Sequence, residues 1–268
     1  MSVREMSYRQ RGILISMIAH QCYCDPKNLL KARKGIRNLD PIKKFLNKPL
    51  PPTYIDVDGA QAYILSDAND VIVACRGTEP TQLNDIVADL KTWPINHHKS
   101  GRVHRGFYAE YKKVIPGIKE AIKKHNKSGK KTIWVTGHSL GGAMAVLVAV
   151  ELQPTGGLHT FGQPRVGNAD FLKNITFPYY RYRNNNDTVT IVPPSFGVIF
   201  KHSGILRYIN SYGNIRKATW FQRFKDKWRG TWEAAKSFNL IDGFTDHSMG
   251  QYHDFLHNMD DNGEQLPK

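Results

Sequence analysis

A serine set between two glycines is the residue of this chain best suited to chemistry. The segment from Thr136 to Ala143 reads T-G-H-S-L-G-G-A, and it joins the apolar run 133–135 to the apolar run 144–150. In a G-x-S-x-G turn between a strand and a helix, the glycines leave room for a strained backbone that presents the serine hydroxyl at the strand end. The pattern predicts that Ser139 is a nucleophile. The alternative is a small-residue turn that serves packing alone.

A serine of this kind needs an acid and then a histidine later in the chain. Residues 179–183 have the pattern of a strand, and Asp187 follows just past its end. A buried carboxylate at that point can orient an imidazole ring. His247 opens the last helical segment from a loop position and has the required order. We therefore predict Asp187 as the acid and His247 as the base.

Other acids and histidines compete for these roles. His202 lies between Asp187 and a predicted strand, where it is the alternative base or a packing residue. His253 and His257 fall on the terminal helix and are expected to be surface or capping residues. Asp170 follows a Gly-Asn pair and resembles a residue at a helix start, a position that Asp favours.

The elements that must position these residues alternate between strands and helices. Such alternation predicts a mostly parallel central sheet flanked by helices. The chain has 268 residues, of which 40% are hydrophobic, and this is enough for one domain over 1–268 with a substantial core. Strands are predicted near 61–65, 71–76, 132–136, 157–161, 179–183 and 204–210.

Several further motifs accompany the serine turn: V-A-C-R-G-T at 73–78, V-H-R-G-F at 103–107, T-F-G-Q-P-R-V-G-N at 160–168, N-D at 186–187 with V-P-P at 192–194, and D-H at 246–247. Together they resemble the fungal-type triacylglycerol lipases, or class 3 lipases. The resemblance implies an α/β-hydrolase fold and ester hydrolysis through an acyl-enzyme. It also implies an oxyanion hole formed by Thr78 and Leu140. We expect neither a cofactor nor a metal.

The activity expected from this resemblance is that of a lipase cleaving acylglycerol esters. Phospholipase A1 and feruloyl or carbohydrate esterase are the alternatives with the same chemistry. A catalytically silent lipid-binding module on this fold is a different class of alternative, and so is a nucleic-acid-binding protein, which a net charge of +15 would suit. No helix-turn-helix, zinc-finger or aromatic RNA-binding motif accompanies that charge, which argues against nucleic acid.

Residues 80–94 carry four apolar side chains at helical spacing: Leu83, Ile86, Val87 and Leu90. Their spacing of i, i+3, i+4 and i+7 predicts one apolar helical face. An amphipathic helix packed on the core is one interpretation. The family resemblance implies the other, a mobile helical lid that opens against lipid and causes interfacial activation.

Positive charge is concentrated in the segments 27–48, 112–131 and 217–236. A basic aromatic helix can lie on an anionic membrane or a lipid droplet, or its aromatic stripe can pack on the core. Both interpretations stay open for the third segment, and the sequence indicates no oligomeric state. That segment interleaves its basic residues with four aromatic residues at four-residue spacing, Trp220, Phe224, Trp228 and Trp232.

The cysteines and the N-terminal segment indicate the expected cellular location of the protein. Cys22 and Cys24 are too close to bridge easily and Cys75 lies in a predicted strand, so a reduced interior is the simpler interpretation. The apolar run 12–19 is short for a signal peptide and lacks a small-x-small cleavage site, so we interpret it as an amphipathic first helix. The expected location is cytoplasmic or peripheral to a membrane, with secretion left open.

Overall fold

The computed structural model of the protein describes residues 2–23, 42, 50–77, 94–185, 187–193, 200–210, 215–216 and 247–257. The strands in this part of the chain are β1 (Leu50–Val57), β2 (Ala60–Ser66), β3 (Asp70–Cys75), β4 (Pro94–Asn96), β5 (Arg102–His104), β6 (Thr132–His138), β7 (Gly157–Phe161), β8 (Tyr179–Asn184), β9 (Ile205–Ile209) and β10 (Ile215–Arg216). The helices are α1 (Tyr8–Gln21), α2 (Arg105–His125), α3 (Ser139–Leu152), α4 (Ala169–Leu172) and α5 (Met249–His257), with a 3₁₀ turn at Val189–Ile191.

The main sheet has the strand order β1-β2-β3-β6-β7-β8-β9-β10. Its central strands β3, β6, β7, β8 and β9 are parallel, while β1, β2 and β10 add antiparallel pairs at the edges. Because parallel strands end at the same edge, the residues that follow β3, β6 and β8 converge there. These residues include Gly77, Ser139 and Asp187. The predicted mostly parallel sheet flanked by helices is confirmed.

Each face of the sheet carries its own apolar core. Successive side chains of a strand point to opposite faces, and in β3 Ile72 belongs to one core while Val71 and Val73 belong to the other. The first core also contains residues of α1 and α5, and the second contains residues of α2 and α3. The sheet is therefore covered by helices on both faces, and α5 is held against α1.

The first helix differs from its prediction. Residues 12–21 are buried without exception, whereas an amphipathic helix would expose one side. The reason is tertiary, since α1 packs against α5 as well as against β3 and β6. Its start is set by a capping box, in which Ser7 accepts from the Gln10 N–H and the Gln10 side chain accepts from the Ser7 N–H.

All the predicted strands are present, and β1, β4, β5 and β10 are additional. The edge strand β1 is half exposed to fully exposed along its length, so it lacks the apolar pattern that reveals a buried strand. It also contains Pro51 and Pro52, which an edge strand tolerates because proline has no N–H to donate.

The predicted lid 80–94 lies outside the described residues except for Pro94, which begins β4. The basic aromatic segment 217–236 and most of the basic segment 27–48 also lie outside them. The segment 112–131 forms much of α2, and most of its lysines are exposed. Among the described residues, no helix is long and apolar enough to cross a membrane. A single domain over 1–268 stays a prediction.

His159, on β7, is a buried histidine, and neither of its ring nitrogens has a hydrogen-bond partner among the described residues. Its ring packs among Trp134, Tyr180 and Tyr182. Burial, aided by the nearby charge of Arg11, lowers the pKa of His159 from 6.5 to about 3. The folded protein keeps this ring neutral, while the unfolded chain protonates it below pH 6.5. Its contribution to stability therefore falls as the pH drops from 6.5 towards 3.

We expect the His159→Phe variant to be more stable than the parent. At about pH 8 the free energy of unfolding should rise by roughly 1 kcal/mol, because a ring of similar shape replaces two unsatisfied polar atoms. At about pH 5 the gain should grow by about 2 kcal/mol, since the variant no longer binds this proton on unfolding. Urea unfolding at the two pH values measures both effects. A gain that does not change with pH would contradict the prediction.

Candidate active site

The chain passes from strand to helix at Ser139 without an intervening residue. β6 ends at His138 and α3 begins at Ser139. The backbone of Ser139 has a φ of 57°, a left-handed conformation that is costly for a residue with a Cβ. Gly141 allows the turn to close, because a Cβ at this position would overlap the Cys75 carbonyl at the end of β3. The predicted strained turn is present, with its serine at the carboxyl edge of the sheet.

The start of α3 provides donors beside Ser139. The first four N–H groups of a helix have no partner within the helix, and the helix dipole makes this end partly positive. Leu140 is the second residue of α3, so its N–H is one of these groups. Thr78, the other predicted oxyanion donor, lies outside the described residues, and the last described residue before it is Gly77.

Asp187 and His247 form a buried pair. Both carboxylate oxygens of Asp187 lie 2.9 Å from the His247 Nδ1, and each side chain is at most 1% exposed. A carboxylate can only accept, so the Nδ1 carries the hydrogen and the Nε2 keeps a free lone pair. This is the tautomer that a general base requires.

Two further donors hold the Asp187 carboxylate. The Tyr252 hydroxyl donates to Oδ2 at 2.6 Å, and the Val189 N–H donates to Oδ1 at 3.0 Å. Tyr252 also accepts from the Asn184 N–H at 2.9 Å, so one hydroxyl connects α5, the end of β8 and the acid. Burial, and then proximity to the Asp187 charge, raise the pKa of this hydroxyl well above 10, so it stays protonated.

The segment after Asp187 is held by three other side chains. The Thr190 hydroxyl donates to the Asp187 carbonyl at 2.7 Å. Arg165 donates to the carbonyls of Ile191 and Pro193. His202 bonds through its Nε2 to the Thr190 carbonyl at 2.7 Å, so its ring supports the segment that follows Asp187.

The reactive atoms of Ser139 and His247 are not hydrogen-bonded to each other. The ring of His138, the residue before Ser139, lies 4.6 Å from the His247 ring between centroids. The Ser139 Oγ and the His247 Nε2 are both buried, and neither has a hydrogen-bond partner among the described residues. Hydrogen bonds between a nucleophile and its base are often long until substrate binds. The structure therefore brings Asp187 and His247 together and leaves the bond to Ser139 unformed.

Gly162, just past β7, packs directly against the Asp187–His247 pair. Its φ is 57°, and an added Cβ would lie 2.7 Å from the Asp187 Oδ2 and 2.8 Å from the His247 Nδ1. Any side chain here would push the pair apart. Neither Gly162 nor Tyr252 is among the predicted site residues, although Gly162 lies in the motif 160–168 and Tyr252 in the last helical segment.

The remaining competitors have structural roles. Asp170 is in the first turn of α4, where Asn168 caps the helix, and its exposed carboxylate lies 2.7 Å from the Lys173 Nζ. His253 was expected at the surface or as a cap, and that expectation is wrong. It is buried because α5 packs on α1, and its Nδ1 lies 3.2 Å from the Ser16 Oγ. The described part of the chain contains no cluster of ligands suited to a metal ion.

Comparison with known proteins agrees with these features. Residues 72–197 match the family model described as lipase (class 3), and the predicted resemblance to this family is confirmed. A secreted mono- and diacylglycerol lipase of Malassezia globosa is 34% identical over 142 residues, which cover 46% of this chain and 47% of the relative. A secreted mono- and diacylglycerol lipase of Fusarium solani is 32% identical over 156 residues, covering 51% and 44%. The chain spans about half the length of these curated relatives.

The fold has solved counterparts. A Rhizomucor miehei triacylglyceride lipase matches with a TM-score of 0.67 at 20% identity, covering 91% of this chain and 95% of that one. A likeness over nearly the whole of both chains shows a shared fold, and the predicted α/β-hydrolase fold is confirmed.

The predicted cytoplasmic or peripheral-membrane location is wrong. The relatives from Malassezia globosa and Fusarium solani are named as secreted lipases, and this finding overturns the prediction. The prediction rested in part on the small number of cysteines, which we interpreted as a sign of a reduced interior. A chain of 268 residues is long enough to bury a stable core without disulfides, so the number of cysteines says little about the compartment.

We expect the Tyr252→Phe variant to lose about 2 kcal/mol of unfolding free energy, because it removes a hydrogen bond to a buried carboxylate. The matched control is Tyr8→Phe, whose hydroxyl lies 3.0 Å from the neutral Tyr182 hydroxyl. That variant should lose about 1 kcal/mol or less. Urea unfolding of both variants beside the parent makes the comparison. Equal losses would contradict a special role of Tyr252 at the Asp187 charge.

Proposed function

We propose that the protein is a serine carboxylic-ester hydrolase of the lipase type that cleaves acylglycerol esters. The observation that carries the proposal is the buried Asp187–His247 pair at 2.9 Å, next to a strained turn that begins a helix with Ser139. The match of residues 72–197 to the class 3 lipase family model supports it. So do the names of the matched relatives, which are lipases of mono-, di- and triacylglycerols.

In the proposed reaction the Ser139 Oγ attacks the carbonyl carbon of an ester. His247 accepts the serine proton at its Nε2, and Asp187 stabilises the imidazolium that forms. The negative charge passes to the former carbonyl oxygen, which the Leu140 N–H and Thr78 would bind. Losing one such donor typically costs roughly 10²–10³ in rate.

The tetrahedral intermediate then collapses. The bond to the alcohol oxygen breaks, and His247 gives its proton to the leaving alcohol, which leaves an acyl group on Ser139. Water next attacks this acyl-enzyme while His247 takes a proton from it, and the second collapse releases the fatty acid and restores the serine hydroxyl.

The unpaired state of the two reactive atoms favours this chemistry. Neither the Ser139 Oγ nor the His247 Nε2 has a hydrogen bond to break within the described residues. A hydrogen bond between these two atoms would therefore form without replacing another bond of either atom. Both atoms are buried, so the bond would form in a low-dielectric site where it is strong.

Substrate selection rests on residues that the sequence identifies and the described part of the chain does not contain. We keep Leu83, Ile86, Val87 and Leu90 as the proposed apolar face of a lid over the site, and 217–236 as a proposed contact with anionic lipid surfaces. A substrate with a long acyl chain fits an apolar lid better than a soluble ester does.

The experiment that tests the function is a substrate panel with purified protein. We expect hydrolysis of short and long p-nitrophenyl esters and of emulsified triacylglycerol. Phospholipid vesicles and a feruloyl ester test the alternative esterases. Ser139→Ala should abolish turnover because it removes the nucleophile, and Asp187→Asn should lower it by up to roughly 10⁴ because the imidazole adopts the wrong tautomer.

The control is Ser100→Ala, at an exposed serine whose hydroxyl donates to the Asp170 carbonyl. It should hydrolyse esters like the parent. A covalent serine phosphonate should label Ser139 alone, as identified by mass spectrometry. Labelling at another serine, or full turnover by Ser139→Ala, would refute the proposed function.

A further inference from the structure

His138 is a buried histidine that the proposed reaction does not use. It ends β6 directly before Ser139 and is 2% exposed. Its Nε2 lies 2.7 Å from the backbone carbonyl of His247. A carbonyl can only accept, so the Nε2 carries a hydrogen and donates it.

The other ring nitrogen of His138 has a partner as well. Its Nδ1 lies 2.9 Å from the Tyr23 hydroxyl. Burial, together with the nearby His247, lowers the pKa of His138 well below 6.5, so the ring is neutral. With the only ring hydrogen on Nε2, the Nδ1 must accept, and the Tyr23 hydroxyl is the donor. The hydrogen bonds therefore run in one direction, from Tyr23 through His138 to the His247 carbonyl.

Tyr23 connects this chain to a third part of the site. It lies just past the end of α1, and a Cβ added to Gly77 would lie 2.5 Å from its hydroxyl. The Arg76 guanidinium lies 5.9 Å from the centre of the Tyr23 ring. The hydroxyl is thus packed against the end of β3, directly before Thr78, as well as bonded to the serine turn.

We infer that Tyr23 and His138 are positioning residues that hold the backbone of His247 at a set distance from Ser139. The inference rests on the proposed function. Within the part of the chain that the structure describes, Asp187 holds the His247 ring through its Nδ1 edge, and a ring held at a single edge can pivot about that contact. The bond from His138 holds the same residue at its backbone carbonyl, on a separate atom.

The position of His138 in the chain makes this second contact effective. One peptide bond separates it from Ser139, so the residue next to the nucleophile also carries the anchor of the base. Its neutrality suits the reaction, because a charged ring 4.6 Å away would oppose the imidazolium that His247 becomes. A misplacement of about 1 Å in such a site can lower the rate roughly 10²-fold.

Substitutions of matched shape separate positioning from packing. His138→Gln places an amide N–H near the position of the Nε2–H and keeps a donor for the carbonyl, whereas His138→Leu fills the space without one. Tyr23→Phe removes only the hydroxyl that orients His138. The control is Tyr8→Phe, which also removes a hydroxyl from a partly buried tyrosine but lies outside the site.

The measurements are kcat and KM on a soluble short ester, the rate of labelling by a serine phosphonate, and the melting temperature. We expect kcat to fall about 100-fold in His138→Leu and about 10-fold in Tyr23→Phe, with KM within about two-fold of the parent. Labelling should slow in parallel. His138→Gln should recover kcat to within about five-fold of the parent, and Tyr8→Phe should match the parent.

A native kcat in His138→Leu would overturn the inference. So would equal losses in the Leu and Gln variants at a native melting temperature, since packing alone would then explain them. If His138→Leu does not fold, Tyr23→Phe and His138→Gln decide the matter, because both keep the volume of the side chain. A parent protein that neither hydrolyses esters nor reacts with the phosphonate would instead refute the proposed function itself.

Discussion

The arrangement of the site depends on one buried carboxylate. Asp187 is 1% exposed, and a charge so far from water must be hydrogen-bonded or it destabilises the fold. Its donors come from three segments: the Val189 N–H from the turn after β8, the Tyr252 hydroxyl from α5, and the Nδ1 of His247 from the residues before α5. Each donor stabilises the carboxylate only when it lies within hydrogen-bonding distance of it. The need to stabilise this charge therefore fixes the positions of the turn, the helix and the base.

The cores on the two faces of the sheet keep those segments in reach of one another. α5 packs on α1, and the burial of residues 12–21 of α1 on every side follows in part from that contact. Tyr252 is part of the same core as Leu14 and Ile18 of α1. Packing of apolar side chains thus places the hydroxyl that holds Asp187, and the chemistry of the site is coupled to the stability of the core.

The sequence was informative where a local pattern carries the chemistry. Ser139 could be predicted because a strained strand-to-helix turn needs small residues at set positions, and β6 and α3 flank it as expected. Asp187 and His247 followed from their order in the chain. Gly162 and Tyr252 could not be predicted from the residues around them, because their roles arise only when β7 and α5 meet the Asp187–His247 pair. The burial of His253 has the same origin, since only the contact with α1 covers it.

The Asp187 carboxylate holds His247 as the tautomer with its hydrogen on Nδ1. NMR of the protein with ¹⁵N-labelled histidine at about pH 8, where an unperturbed imidazole is neutral, detects this hydrogen. We expect a protonated Nδ1 and an unprotonated Nε2 for His247, and loss of this pattern in Asp187→Asn. A hydrogen on the Nε2 of His247 in the parent protein would contradict this expectation, because that ring could not accept the proton of Ser139.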